Sequence, residues 1–512
     1  MKKRQIVNII NFVRAIEPRK PEWDLLLPVK EQIKLMKEYS LRGTFLLQYD
    51  VLIRDDFMDI FKQLEQNQFE FGVWFEVVQP LVEDVGLVWT GRFPWDWHTH
   101  CGFSVGYNKE ERKKLIDALY EKFKSLFGYY PRVFGSWLYD SYTLRYIEER
   151  YGADAFCDCK EQYGTDGYTL WGGYYGQGYY PSKTNWFMPA KTDESQINVP
   201  VFRMLGSDPI YQYDYKIDPQ RETQPLQEVI SLEPGYPGHA GSDEKWVDWY
   251  MKENFNGECL SFGYTQAGQE NSFGWDRMRD GITYQFPLFA RLRDEGKIEV
   301  EQFGETGRWY KQTYKETPAS SIVAHTAYDD DNKNSVWYCT KNYRISLFGD
   351  AGKMRIRDLH IFSEKFADPY EDAVSTGNSA TYETLPFIDG FRYTGCGVLA
   401  GGYISFEDKT EPEFSELEFV DNNDGSATVK YGDVTLNLYD NAIEITADKS
   451  FVLENRIGRD GDHMPSLRSV SDKRIDLTYK EADYSILATK GSFADRNTIV
   501  SEDNTIYLTF EV

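Results

Sequence analysis

The chain has 512 residues, more than one compact core accommodates, so two or three domains are expected. A net charge of -25 and a pI near 4.8 argue against nucleic acid and anionic membrane as partners, because both repel an acidic surface. Mean hydropathy is -0.57, and no run of about 18 apolar residues is present to span a bilayer. The start, MKKRQIVNIINFVRAIEPR, carries a short apolar run broken by Asn8, Asn11 and Arg14 and reads as a strand, not a signal peptide. The expected compartment is the cytoplasm, or the periplasm or exterior if a leader has been removed. Six cysteines without CxxC spacing are expected as free thiols, with Cys157 and Cys159 packed along a strand.

Residues 5–13 form an apolar run of strand length, and Pro21 to Tyr39 carries Val29, Ile33, Leu35 and Met36 at helical spacing. A strand at 44–49 ends on Asp50, a helix at 55–66 follows, and a strand at 69–78 carries Glu76 near its end. These alternating units build parallel sheets. The excursion from Gln79 to Tyr107, with WTGRFPWDWHTHCGF, is too long for an ordinary connection and is expected to be functional. Asn108 and Glu111 form a capping box for the next helix, which Gly128 ends. The strand VFGSWLY leads to Asp140, and DAFC to Asp158 and Glu161. Val199–Leu205 and Cys259–Tyr264 are two further strands, and GKIEV closes the series. About seven strand-plus-helix repeats fit a distorted (β/α)7 barrel over residues 1–310. A doubly wound sheet is the alternative, but no glycine-rich fingerprint follows the first strand.

Beyond about Thr306 the helical period gives way to short alternating runs such as DVTLNLY and TIYLTFEV. Asn423-Asp424-Gly425 is a turn signal between two of them. Residues 311–512 therefore read as an all-β, sandwich-like accessory domain.

Barrel chemistry sits at the C-terminal ends of strands. Those ends offer Asp50, Glu76, Asp140, Asp158 or Glu161, Asp208 and Glu270, with Arg14, Lys160 and Arg203 as countercharges. Any one acid can be a helix cap or an ion-pair partner, but six converging acids favour a site. Glycoside cleavage needs two carboxyls flanking one bond. Asp140 and Glu270, on strands four and seven, are the expected catalytic pair, and spacing leaves open which is the nucleophile. Asp50, Glu76, His98, His100, Asp158, Lys160, Glu161, Asp166, Trp171, Asp208 and Trp275 are the expected substrate-binding set. Tyr168, Trp171 and Tyr174, in the Gly-rich aromatic loop from Glu161 to Tyr180, are candidate sugar platforms. His98 and His100 beside Asp96 are the best candidates for a divalent metal, with Asp50 as a third ligand. Packing against Trp95 and Trp97 is the plainer reading, and no cofactor is required. His239 reads as a turn residue.

The strand ends GTFLLQYD, GSWLYD and FGYTQAGQENSFGW, with the closing helix and GKIEV, resemble the glycoside hydrolase/deacetylase superfamily, including the family 57 amylases and family 38 α-mannosidases. The likeness spans roughly residues 5–305, and a two-domain bacterial family of the same layout is also similar. It implies a carbohydrate substrate and a retaining glycoside hydrolase, with Asp140 as nucleophile and Glu270, or Asp276, as acid/base. The first strand, NIINFVRA, lacks the deacetylases' paired Asp and the mannosidases' His-x-Asp, so a metal site of either kind would lack its first ligands. A carbohydrate-binding protein without catalysis, and a metal-dependent carbohydrate hydrolase or deacetylase, are the competing expectations.

Overall fold

The computed structural model describes residues 3–223, 227–413 and 417–512. In chain order its first part runs β1 (Gln5–Val13), α1 (Leu26–Glu38), β2 (Gly43–Leu47), α2 (Tyr49–Leu52), α3 (Asp55–Phe61), β3 (Phe69–Trp74) and α4 (Gln79–Asp84). Then come α5 (Thr99–Gly102), α6 (Lys109–Phe127), β4 (Val133–Gly135), α7 (Ser141–Arg150), β5 (Ala155–Asp158), the hairpin β6 (Gln162–Thr165) and β7 (Tyr168–Trp171), and β8 (Gly178–Tyr179). The part ends with β9 (Val201–Arg203), α8 (Tyr211–Asp214), α9 (Glu244–Asn254), β10 (Gly263–Ala267), α10 (Trp275–Asp294), β11 (Glu299–Glu301) and α11 (Phe303–Thr313).

Seven strands lie parallel in the order β10-β1-β2-β3-β4-β5-β9, with β8 antiparallel on the β9 edge. β11 pairs with β1 at Ile6 to Asn8, whereas β2 pairs with it from Ile10 to Val13. The sheet is therefore a curled (β/α)7 barrel, distorted where β11 joins β1. All nine residues of β1 are buried, as a strand covered on both faces requires. The register sets Ile9 opposite Ala267, Val13 opposite Leu47, Leu47 opposite Val73, Trp74 opposite Gly135 and Gly135 opposite Cys157. Residues just beyond these ends consequently share one rim. Helix α6 has the expected Asn108–Glu111 capping box and ends at Gly128, whose φ of 83° suits a residue without a Cβ.

Two antiparallel sheets follow. One runs Ser320–Ala324, Lys333–Cys339, Tyr343–Asp350, Lys353–Ile361, Gly401–Phe406, Phe451–Arg456, Thr498–Val500 and Ser492–Phe493, with Leu385–Asp389 also on Lys353–Ile361. The other runs Leu417–Asp421, Ala427–Tyr431, Val434–Tyr439, Ala442–Ala447, Thr505–Glu511, Ala482–Lys490, Arg474–Tyr479 and Ser466–Val470. Ile345 and Ile356 of the first share one apolar cluster with Leu436 and Ile506 of the second, the mark of a sandwich. The turn at Asn423-Asp424-Gly425 joins two adjacent strands as expected, with positive φ at Asn423 and Gly425.

The two parts are stitched together. Ala380–Glu383 adds in parallel to β7, and Tyr175 stacks on Trp337 with centroids 3.8 Å apart. Among the described residues no helix is long and apolar enough to cross a membrane. All six cysteines are free, and Cys157 and Cys159 are buried.

Candidate active-site cleft

Arg14 is the first residue past β1, and its backbone is clamped from across the rim. Its N–H donates to Asn271 Oδ1 at 3.0 Å, and Asn271 Nδ2 donates back to the Arg14 carbonyl at 2.8 Å. This fixes the β1 end against the loop that follows β10. The guanidinium Nη2 then donates to Glu76 Oε2 at 2.9 Å and to Glu270 Oε2 at 2.7 Å. The two carboxylate oxygens thus lie no farther apart than the sum of those distances, about 5.6 Å. All three side chains are almost wholly buried.

Each carboxylate is further held. Trp74 Nε1 donates to Glu76 Oε2 at 2.8 Å, leaving Oε1 outside these bonds. Ser272 Oγ donates to Glu270 Oε1 at 2.8 Å. Burial pushes the Glu76 carboxyl up to about 7 against the pull of Arg14, and the Glu270 charge adds to the rise. Burial also raises Glu270, with Arg14 and Ser272 opposing it. Two neighbouring acids that share one cation and are both biased toward protonation can hold a single proton between them.

These groups line a cleft of about 310 Å³. Trp23, Trp95, Trp97, Trp137, Tyr168 and Phe273 form much of its wall. Arg14 lies over the Trp95 ring at 4.0 Å, and Trp137 meets Trp74 edge-on at 5.1 Å. Glu233 completes the interior, its Oε1 accepting from Gln269 Nε2 at 2.9 Å and its Oε2 lying 3.5 Å from Lys160 Nζ. Glu17 holds Arg19 by two hydrogen bonds from the guanidinium, at 2.8 and 2.7 Å.

Of the residues singled out from the sequence, Glu76, Glu270, Lys160, Asp166 and Tyr168 meet at this cleft. Asp140 does not. β4 ends at Gly135, and Ser136 Oγ donates to the Phe75 carbonyl at 2.7 Å just beyond it. Asp140 instead caps α7, accepting from the Thr143 N–H at 2.9 Å and pairing with buried Arg112 at 2.8 Å. Its carboxylate is fully enclosed by these partners, and Trp137 is the residue this segment sends to the cleft. Asp208 is likewise local, accepting from the Ile210 and Tyr211 N–H groups and from Trp246 Nε1. Asp50 accepts from the Ala15 N–H at 2.8 Å and supports the Arg14 turn from outside the cleft lining.

Glu161 and Trp171 face the sandwich and do not line this cleft. Arg344 donates to Glu161 Oε1 at 2.9 Å and to both oxygens of Asp358, and Trp171 Nε1 donates to Asp389 at 2.9 Å. Tyr174 is buried with its hydroxyl on the Pro318 carbonyl. Asp158 lies in the barrel interior 3.7 Å from Arg203. Trp275 begins α10 and is half-buried outside the lining, as is His239.

His98 and His100 have ring centroids 5.8 Å apart, but neither lines the cleft, and Asp96 is bound to Arg92 at 2.8 Å. Among the described residues no group of three or more His, Cys, Asp or Glu is placed to hold a metal. Asp50, the third ligand expected from sequence, sits on the Ala15 N–H. At the cleft floor a guanidinium occupies the place between the carboxylates that a cation would need. These donors do not fit a metal centre.

Arg14 was read only as a countercharge, and Trp23, Trp137 and Glu233 were not singled out. Trp23 fell inside a segment read as helix, whereas α1 starts at Leu26 and leaves residues 14–25 as a loop over the cleft. Glu233 precedes PGYPGH, where an acid in a Pro- and Gly-rich loop was the available signal.

The class defined by this geometry is a curled parallel barrel with an aromatic-walled, carboxylate-floored cleft at the C-terminal rim of its sheet. No protein-family model matches the chain, and no curated protein sequence does. Among solved structures, the chain is similar to one from Parabacteroides distasonis described as a glycoside hydrolase/deacetylase. That match has a TM-score of 0.56 and 15% identity over 76% of this chain and 91% of the other. At that identity the likeness shows the shared fold. Weaker matches include a chain from Mycobacterium smegmatis described as a polysaccharide deacetylase, with TM-score 0.36 and 13% identity over 61% and 92% of the two chains. Another is a GH57 branching enzyme from Thermococcus kodakaraensis, with TM-score 0.31 and 9% identity over 61% and 72%.

Proposed function

We propose that this protein is a carbohydrate-active enzyme that hydrolyses a glycosidic bond with Glu76 and Glu270 as its two carboxyls. The observation that carries the reading is the single Arg14 nitrogen bound to both acids on the floor of a ring-lined cleft. Indole and phenyl faces suit the C–H faces of sugar rings, and paired carboxyls suit acetal cleavage. The P. distasonis neighbour, described as a glycoside hydrolase/deacetylase, shares the fold and supports a carbohydrate substrate.

The roles follow from the surroundings. Glu270, held at 2.7 Å by Arg14 and by Ser272, is the ionised nucleophile. Glu76, raised to about 7 and with Oε1 outside its hydrogen bonds to Arg14 and Trp74, is the protonated acid. In the first step Glu270 forms an ester bond to the anomeric carbon as the glycosidic C–O bond breaks. Glu76 gives its proton to the leaving oxygen. In the second step water attacks the same carbon, Glu76 takes the water's proton, and the ester bond breaks to free Glu270. A spacing within about 5.6 Å suits this retaining course, whose carboxyls typically lie about 5–5.5 Å apart.

The test is reducing-end release from a polysaccharide panel, with the anomeric configuration of the first product read by proton NMR. Retention is expected. Inversion would contradict the roles assigned here. Binding without release, unaltered by Glu76→Gln or Glu270→Gln, would make the protein a carbohydrate binder.

A further inference from the structure

In this chain cations are the scarce partner, with 57 Lys and Arg against 82 Asp and Glu. In the cleft, Arg14, Arg19 and Lys160 are matched to Glu270, Glu17 and Glu233. Lys20 and Arg277 also line it, yet neither forms an ion pair among the described residues. They lie over rings instead: Lys20 Nζ is 5.8 Å from the Trp23 centroid, and Arg277 is 4.9 Å from Phe273 and 5.6 Å from Tyr236. The two belong to one stretch of wall. Trp23 packs so closely on Gly274 that a Cβ there would come within 2.9 Å of its ring.

A second observation comes from the floor. Arg14 Nη1 is buried and has no hydrogen-bond acceptor, with Glu17 Oε2 4.0 Å away. Buried donors without acceptors are costly, and this one belongs to a side chain that lines the cleft. Two cations without an ion pair among the described residues thus line the mouth, and one guanidinium N–H without an acceptor lies at the floor.

Building on the glycosidase reading, we propose that the substrate is an anionic glycan, with a sugar carboxylate or sulfate held by Lys20 and Arg277 beside Trp23 and Phe273. A guanidinium fork matches either group through two hydrogen bonds, and Lys20 adds a point charge. The net charge of -25 repels such a substrate at long range, but physiological salt screens beyond about 8 Å. Within that range Lys20 and Arg277 face one lining carboxylate that forms no ion pair among the described residues, Asp166.

Calorimetric titration of the full chain tests this. The probes are oligogalacturonate and its carboxyl-reduced counterpart, and a sulfated galactan oligosaccharide and its desulfated counterpart. One charged glycan should bind at least about tenfold more tightly than its neutral counterpart. That preference should shrink with added salt and fall to about parity in the double variant Lys20→Met/Arg277→Met. Arg277→Lys, which keeps the charge and loses the fork, should retain part of it. Thermal unfolding midpoints establish that the variants are folded. The inference is overturned if neither charged glycan is preferred, or if the preference survives in the double variant. A preference without any cleavage would sink the glycosidase reading and leave this one. Cleavage of a neutral glycan that the double variant does not alter would do the reverse.

Discussion

Arg14 converts two buried acids into a working pair: it offsets part of the cost of burying each and sets the distance between them. A proton on Glu76 has a kinetic and a thermodynamic consequence. Turnover should fall as pH rises above about 7, where the acid ionises. For stability, a carboxyl raised from 4.5 to about 7 binds a proton in the native state that the unfolded chain has released. Its contribution is full below about 4.5 and is lost as pH rises to about 7. Denaturant midpoints of the wild type should therefore decline relative to Glu76→Gln across that window, and a constant difference would contradict the shift. Asp140→Asn should instead weaken the fold by about 3–5 kcal/mol, because buried Arg112 loses its counterion. Acids at strand ends were a legible signal for Glu76 and Glu270. The same signal failed at Asp140, where WLY has strand propensity but the strand ends at Gly135 and the carboxylate caps α7.

At the scale of elements, the loop from Gly268 to Gly274 does most of the positioning. Gln269 steadies Glu233, Glu270 faces Arg14, and Asn271 clamps the β1 end. Gly274 lets Trp23 close over the loop, and its φ of 75° and ψ of 146° are open to glycine almost alone. Gly274→Ala should cost about 1–3 kcal/mol in backbone strain and lower kcat/KM by displacing Trp23. Unaltered stability and kinetics would show that neither contact matters. The β/α alternation and the capping box of α6 were readable because their periods and residue types are local. In the Glu161–Tyr180 segment, Tyr168 lines the cleft while Trp171 and Tyr174 pack at the interface, because loops and domain interfaces share a Gly- and aromatic-rich composition. Only tertiary contacts, Trp171 on Asp389 and Glu161 on Arg344, tell them apart.

For the whole molecule, the sandwich is a structural partner of the barrel. Arg344 donates to Glu161, Asp358, the Gly173 carbonyl and the Tyr213 hydroxyl, tying barrel loops to the first sandwich sheet. Arg344→Met should remove the buried countercharge that Glu161 and Asp358 share and cost about 3–5 kcal/mol. Because strand pairing and aromatic stacking also cross the boundary, the wild type should unfold in one calorimetric transition. Two separated transitions would show that the parts are energetically independent. The order of parallel and antiparallel segments was legible from hydrophobic period alone. Their mutual burial was not, since it rests on pairs far apart in the chain.

Chemical rescue probes Glu270 as the group that attacks the sugar. Glu270→Ala, assayed on a glycan the wild type cleaves, should lose at least about a thousandfold in turnover, and added azide should restore it with release of a glycosyl azide of inverted anomeric configuration. Undiminished cleavage by Glu270→Ala would place the nucleophile elsewhere and contradict the account.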